Sequence, residues 1–96
     1  MQRIHEEIRI DKPHQAYVMI NCEDGTLESV REELKLIEYV KEVTPTFGAY
    51  DIVTKIASPT VESLREIIAL RIRRIPEVRT TTTIICMPTT PILYSN

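Results

Sequence analysis

Two strand-helix-strand segments of similar plan, joined by a tight link at Gly48-Ala49, are the feature that most restricts how this chain can fold. In the first, the β-rich run "QAYVMINCE" (Gln15–Glu23) ends at Asp24-Gly25, a turn pair, with Thr26 placed to cap a helix. Leu27, Val30, Leu34 and Ile37 then recur at helical spacing, while Glu28, Arg31, Glu32, Lys35 and Glu38 fall on the opposite side as a solvated face. "VKEVTPTF" (Val40–Phe47) reads as a second strand, with Pro45 favouring a sheet edge because it cannot donate to a ladder. "YDIVTKIA" (Tyr50–Ala57) is a third strand, and the short connection makes strands two and three an antiparallel hairpin. Ser58-Pro59 has the residue types of a cap followed by the first helical position. Val61, Leu64, Ile68 and Ile72 form the second stripe, widened by Ile67 and Ile75, and Pro76 stops the helix. "EVRTTTTIICM" (Glu77–Met87) is the fourth strand.

Right-handed crossovers and a central hairpin convert this order into a split βαβ arrangement. The expected fold is α+β, a four-stranded antiparallel sheet in the order 4-1-3-2 with both helices on one face. Residues 1–14 form a charged arm, residues 15–87 the folded domain, and residues 88–96 a tail in which Ile92, Leu93 and Tyr94 can dock on a neighbour. The first and fourth strands run antiparallel, so Cys22 and Cys86 sit at opposite ends of the sheet and do not pair; both read as small buried hydrophobes.

The strands do not alternate cleanly. Ala16, Val18, Ile20 and Cys22 share one face, but Tyr17 and Met19 occupy the other; Val53 opposes Tyr50, Ile52 and Ile56, and Ile84 and Cys86 oppose Ile85 and Met87. A half-exposed antiparallel sheet should alternate apolar and polar residues. Two helices cover one face, and a chain of 96 residues has nothing left for the other. The apolar second face predicts a dimer interface.

Composition removes several classes of function. With 12 basic and 14 acidic residues the formal net charge is -2, unlike a nucleic-acid surface. No apolar run approaches the roughly 20 residues that cross a bilayer, and the N-terminus lacks a signal-peptide core, so a cytoplasmic protein is expected. There is no glycine-rich phosphate loop, no metal-ligand spacing and no triad; His5 and His14 stand in the arm without partners, so neither cofactor nor metal is expected, nor enzymatic chemistry. Arg71, Arg73 and Arg74 crowd the end of the second helix, where they complement the helix dipole. An anion or nucleic-acid site is the alternative there.

One constellation suits a zwitterion. In "TPTFGAYD" (Thr44–Asp51), Gly48 and Ala49 leave backbone amides open to close approach, Tyr50 adds a ring with a polar tip, and Asp51 a carboxylate. Amides at Gly48 to Tyr50 can hold a carboxylate while Asp51 accepts from an ammonium group. An ordinary hairpin turn explains the same residues.

"VKEVTPTFGAYDIVTKIAS", followed after a helix by "RIRRIPEVRTTTTIICM", resembles the effector-binding (RAM) domain of Lrp/AsnC transcription regulators over nearly all of Ala16–Met87. The resemblance rests on Gly48, Tyr50 and Asp51, on Pro76 and Val78, and on the threonine-rich strand. It implies a ferredoxin-like fold, dimers formed through sheets and often closed into rings, and an amino acid or related effector bound between dimers. Carried over by position, the site residues are Gly48, Ala49, Tyr50 and Asp51, with Thr81 and Thr83 as weaker members. Family regulators also carry an N-terminal helix-turn-helix domain, which the residues before Gln15 are too few to form; the resemblance is to stand-alone versions, without direct nucleic-acid binding, that sense metabolites or co-assemble with full-length regulators. The alternatives are an interaction-only subunit, an ACT-like domain using the glycine after the first strand (Gly25 here), and a small dimeric ferredoxin-like enzyme.

Overall fold

The computed structural model describes residues 13–87; most of the arm, including His5, and the tail with Ile92, Leu93 and Tyr94 lie outside the described residues. The elements follow the order β1 (His14–Cys22), α1 (Leu27–Lys35), β2 (Val40–Pro45), β3 (Ile52–Ser58), α2 (Val61–Ile67), a π-helical turn (Ile68–Ile72) and β4 (Val78–Ile85). The sheet order is β2-β3-β1-β4, with every neighbouring pair antiparallel. This is the order expected, read from the other edge, and the fold is the ferredoxin-like one.

Register assigns the faces. Ala16↔Ile56, Val18↔Thr54 and Ile20↔Ile52 pair between β1 and β3, and these residues are all sealed from water. All but Thr54 join Val30, Leu34, Ile37, Leu64, Ile67, Ile68, Ile72 and Ile75 in one core cluster, so both helices cover the same side. Each large aliphatic side chain buried there contributes about 1.5–3 kcal/mol relative to exposure. Ile85 packs against this core, opposite Ala16, whereas Ile84 pairs with Tyr17 on the uncovered side.

Several local details differ from the sequence reading. Thr26 stands before α1 without capping it; its hydroxyl turns back and donates to the Glu23 carbonyl at 2.6 Å. The second cap is Thr60 rather than Ser58: Thr60 Oγ1 accepts from the Ser63 amide at 3.0 Å, while Ser58 ends β3 and donates to the Thr60 carbonyl. Pro59 thus precedes the cap, and the helix starts two residues beyond it. The connection between β2 and β3 is wider than two residues, because the Thr46 amide donates to the Asp51 carbonyl and the Thr46 hydroxyl to the Tyr50 carbonyl. Those bonds end β2 at Pro45 and delay β3 to Ile52.

The second helix widens as it ends, with the Arg73 amide donating to the Ile68 carbonyl five residues back. Tyr39, which turns the chain from α1 into β2, takes a left-handed backbone conformation at φ 74. That conformation disfavours a side chain, but the Tyr39 ring packs against the core and its carbonyl accepts from the Ala57 amide.

Candidate functional site

The antiparallel register places the start of β3 beside the end of β1, and this brings two loops that are distant in sequence to one corner. The last regular pair is Ile20↔Ile52. Beyond it Asp51 takes over the connection: its amide donates to the Ile20 carbonyl at 2.9 Å, and its Oδ2 accepts from the Cys22 amide at 2.9 Å. With Thr46 bonded to both Tyr50 and Asp51, the hairpin loop is fixed at its base and open at its tip.

A small pocket of about 130 Å³ lies at this corner, lined by Cys22, Glu23, Asp24, Gly25, Leu27, Thr46 and Asp51. Gly25, at φ +80, forms the opposite wall, and a side chain added there would meet no neighbour within 4 Å. The glycine after the first strand and the aspartate of the hairpin therefore belong to one pocket, rather than marking two rival sites.

The six residues singled out from the sequence are distributed over three places. Asp51 lines this pocket, but Gly48, Ala49 and Tyr50 do not. Gly48 and Ala49 are exposed at the tip of the loop and Tyr50 is half-buried. Gly48 has φ +112 with open space around its Cα, so its backbone needs a glycine and presents no obstacle to an incoming group. Among the described residues no backbone carbonyl accepts from the amides of Gly48, Ala49 or Tyr50. Phe47, beside them, is fully exposed.

Thr81 lies on the other side of β1, opposite Ile20, and lines a separate cavity. Thr83 points towards the core opposite Val18, and its hydroxyl is buried without a partner. The hydroxyl of Thr54, on the other flank of Val18, is likewise buried and unpartnered. Within one subunit the threonines and the Asp51 corner are therefore not assembled into a single pocket.

Cys22, Glu23, Asp24, Leu27 and Thr46 are pocket residues that the sequence reading did not select. The signal for them lies in the register, which has no local sequence signature. Burial pushes the Cys22 thiol pKa above its ordinary 9.0; a hydrogen bond with Thr26 opposes the shift, and the Asp51 carboxylate adds to it. The thiol is thus held in its protonated form, a poor nucleophile. No group of three or more His, Cys, Asp or Glu among the described residues is arranged to hold a metal ion. Nor is any described helix long and apolar enough to cross a membrane.

Chemically, the corner offers a carboxylate with one oxygen committed to Cys22, flanked by Glu23 and Asp24. It suits a cationic group such as an ammonium. A complete small-molecule site usually encloses about 300–1,000 Å³, so this pocket is a fraction of one.

Comparison with known proteins agrees with the architecture. A protein from Pyrococcus horikoshii, described as hypothetical protein PHS023, is 29% identical, with a TM-score of 0.74 over 79% of this chain and 92% of its own. FFRP-DM1 is 30% identical, with a TM-score of 0.74 over 77% of this chain and 99% of its own. AsnC of E. coli superposes with a TM-score of 0.75 at 21% identity, a likeness of fold; 99% of this chain covers 62% of that protein. No functionally curated protein matches the sequence. Residues 15–91 match the family described as Lrp/AsnC ligand binding domain, nearly the whole stretch that carries the βαββαβ fold and the Asp51 corner. The chain belongs to the Lrp/AsnC ligand-binding domain family.

Proposed function

We propose that this regulatory domain binds a small amino acid, or a related zwitterion, at the Asp51 corner, and that occupancy favours assembly of several copies. The observation that carries the reading is the incompleteness of the corner. One subunit supplies an acidic half-pocket of about 130 Å³, while the amides of Gly48 to Tyr50, which donate to no described carbonyl, lie just outside it on an exposed loop with Phe47 at its shoulder. An ammonium group fits against Asp51, and a carboxylate requires donors such as those amides. A neighbouring copy closing over the loop tip supplies the missing wall. The open sheet face provides the surface for pairing.

The chain then acts in the cytoplasm without catalysis, joining copies of itself and, in mixed assemblies, full-length Lrp/AsnC regulators. Ligand held between subunits stabilises the assembly by linkage, about 2.7 kcal/mol at a hundred times its dissociation constant. Isothermal titration with the common amino acids, alongside sedimentation with and without the best binder, tests both parts. Saturable binding accompanied by a larger sedimentation coefficient is expected. No binding by any amino acid at millimolar concentration rejects the sensing role.

A second reading, an interaction-only subunit, is favoured by one observation: Asp51 already has a structural task in accepting from Cys22. Under it, Asp51→Asn leaves assembly unchanged and no amino acid binds.

A further inference from the structure

Arg71, Arg73, Arg74 and Arg79 fall within nine residues, against a net charge of -2 for the whole chain. A helix dipole accounts for cations near a helix end wherever their side chains point. It does not account for what Arg73 does. Its Nε donates to Thr81 Oγ1 at 3.1 Å, crossing from the end of the helical layer to the edge strand β4. The crossing forms one side of an open concavity of about 390 Å³ lined by Arg73, Val78, Arg79, Thr80 and Thr81.

The lining carries two guanidinium groups and the Thr81 hydroxyl, with no carboxylate among the described lining residues; the neighbouring Thr80 turns its hydroxyl to Asn21 on the other face of the sheet. Among the described residues the ion pairs are Arg31–Glu28 and Lys35–Glu32, both on α1, and no described carboxylate pairs with Arg73 or Arg79. Thr81 Oγ1 accepts from Arg73, and Thr80 Oγ1 accepts from Asn21 Nδ2 at 3.2 Å. The Thr81 hydroxyl therefore retains its own proton to donate. The Nε bond also orients the plane of the Arg73 guanidinium, and its terminal nitrogens, which bond no described residue, form the fork that pairs with a planar or tetrahedral oxyanion. Two like charges share one concavity, and a bound anion relieves their repulsion. The volume lies within the usual small-molecule range of about 300–1,000 Å³.

We infer that this cavity is a second ligand site, distinct from the Asp51 corner, which takes a small metabolite through a phosphate or carboxylate group. The two pockets share no lining residue and have opposite charge preference. A nucleic acid would need a basic stripe long enough to meet successive phosphates, whereas the lining here is one concave patch.

The test is calorimetric titration of the full chain with inorganic phosphate and with succinate at fixed ionic strength. Arg73→Gln, Arg79→Gln, Thr81→Val and Asp51→Asn are compared with Arg65→Gln, a change on α2 outside the cavity. At least one of the two anions should bind saturably. Binding should weaken about tenfold or more in Arg73→Gln and Arg79→Gln, equivalent to about 1.4 kcal/mol, and by a smaller factor in Thr81→Val. Arg65→Gln and Asp51→Asn should leave it unchanged, the latter separating this site from the amino-acid reading. Absence of saturable binding by both anions overturns the inference. So does equal weakening by Arg65→Gln, which marks general charge attraction, or by Asp51→Asn, which merges the two sites. Retention of a duplex oligonucleotide by a chain that binds neither anion assigns the arginines to nucleic acid instead.

Discussion

On the helix side of the sheet Ala16, Val18, Ile20, Ile52 and Ile56 are fully sealed from water; one residue along the same strands, Tyr17, Met19 and Val53 are only half covered, and Ile84 is 54% exposed. The two faces use similar residue types, so composition alone does not separate them. What separates them is the presence of two helices on one side. Met19 stands in the middle of the open face, between Val53 on β3 and Thr82 on β4. The helix side also tolerates less polarity. Thr54 and Thr83 place unpartnered hydroxyls in the row through Val18, whereas Thr80 and Thr82 are exposed and free to meet water. The same residue type is a burden on one face and unremarkable on the other.

The sharpest way to break this comparison is to make one substitution on each face. Ile20→Ala empties a fully buried site and should cost about 2–5 kcal/mol in urea unfolding. Met19→Lys should leave the fold intact by circular dichroism and weaken self-association about a hundredfold in sedimentation, or about 2.7 kcal/mol. A wild-type chain that stays monomeric at micromolar concentration would show that the open face is simply tolerated.

Asp51 allows a finer separation, since it links both strands to the pocket. Asp51→Ala removes the acceptor for the Cys22 amide and should cost about 2 kcal/mol of stability. Asp51→Asn keeps an acceptor oxygen, so thermal unfolding should fall by less than half as much while amino-acid binding is lost in both variants. Equal destabilisation by the two would mean that the charge, rather than the hydrogen bond, holds the corner.

The helix caps give a smaller contrast. Thr60→Ala should lose about 1 kcal/mol of stability because it removes a cap on the Ser63 amide. Thr26→Ala should lose less, since its hydroxyl donates to the preceding turn and caps no helix amide. Thr54→Val should stabilise the chain by up to about 1 kcal/mol, because it replaces a buried, unsatisfied hydroxyl with a methyl group of similar shape. A loss of stability on that change would place an unseen partner beside Thr54.

The order of elements was legible because periodicity and turn residues are local. Val30 and Leu34 predicted the buried side of α1, and Pro45 correctly marked an edge strand. The caps were misread because threonine and serine carry the same donor and acceptor, and only the path of the backbone decides which way the hydroxyl bonds. Loop width failed for a similar reason. Thr46 looked like a strand residue, yet its two bonds to Tyr50 and Asp51 close a six-residue loop.

Local spacing of apolar residues determined the strands, the helices and the fact that both sides of the sheet are greasy; the crossover rules then left one practical topology. Tertiary structure alone decided which residues meet: that Asp51 faces Gly25 and Cys22, that Thr81 sits with Arg73, and that Thr83 is turned into the core. The reason is physical. Hydrophobic periodicity has a short wavelength that any stretch of sequence displays, whereas contacts between strand ends depend on register, set by packing summed over the whole sheet.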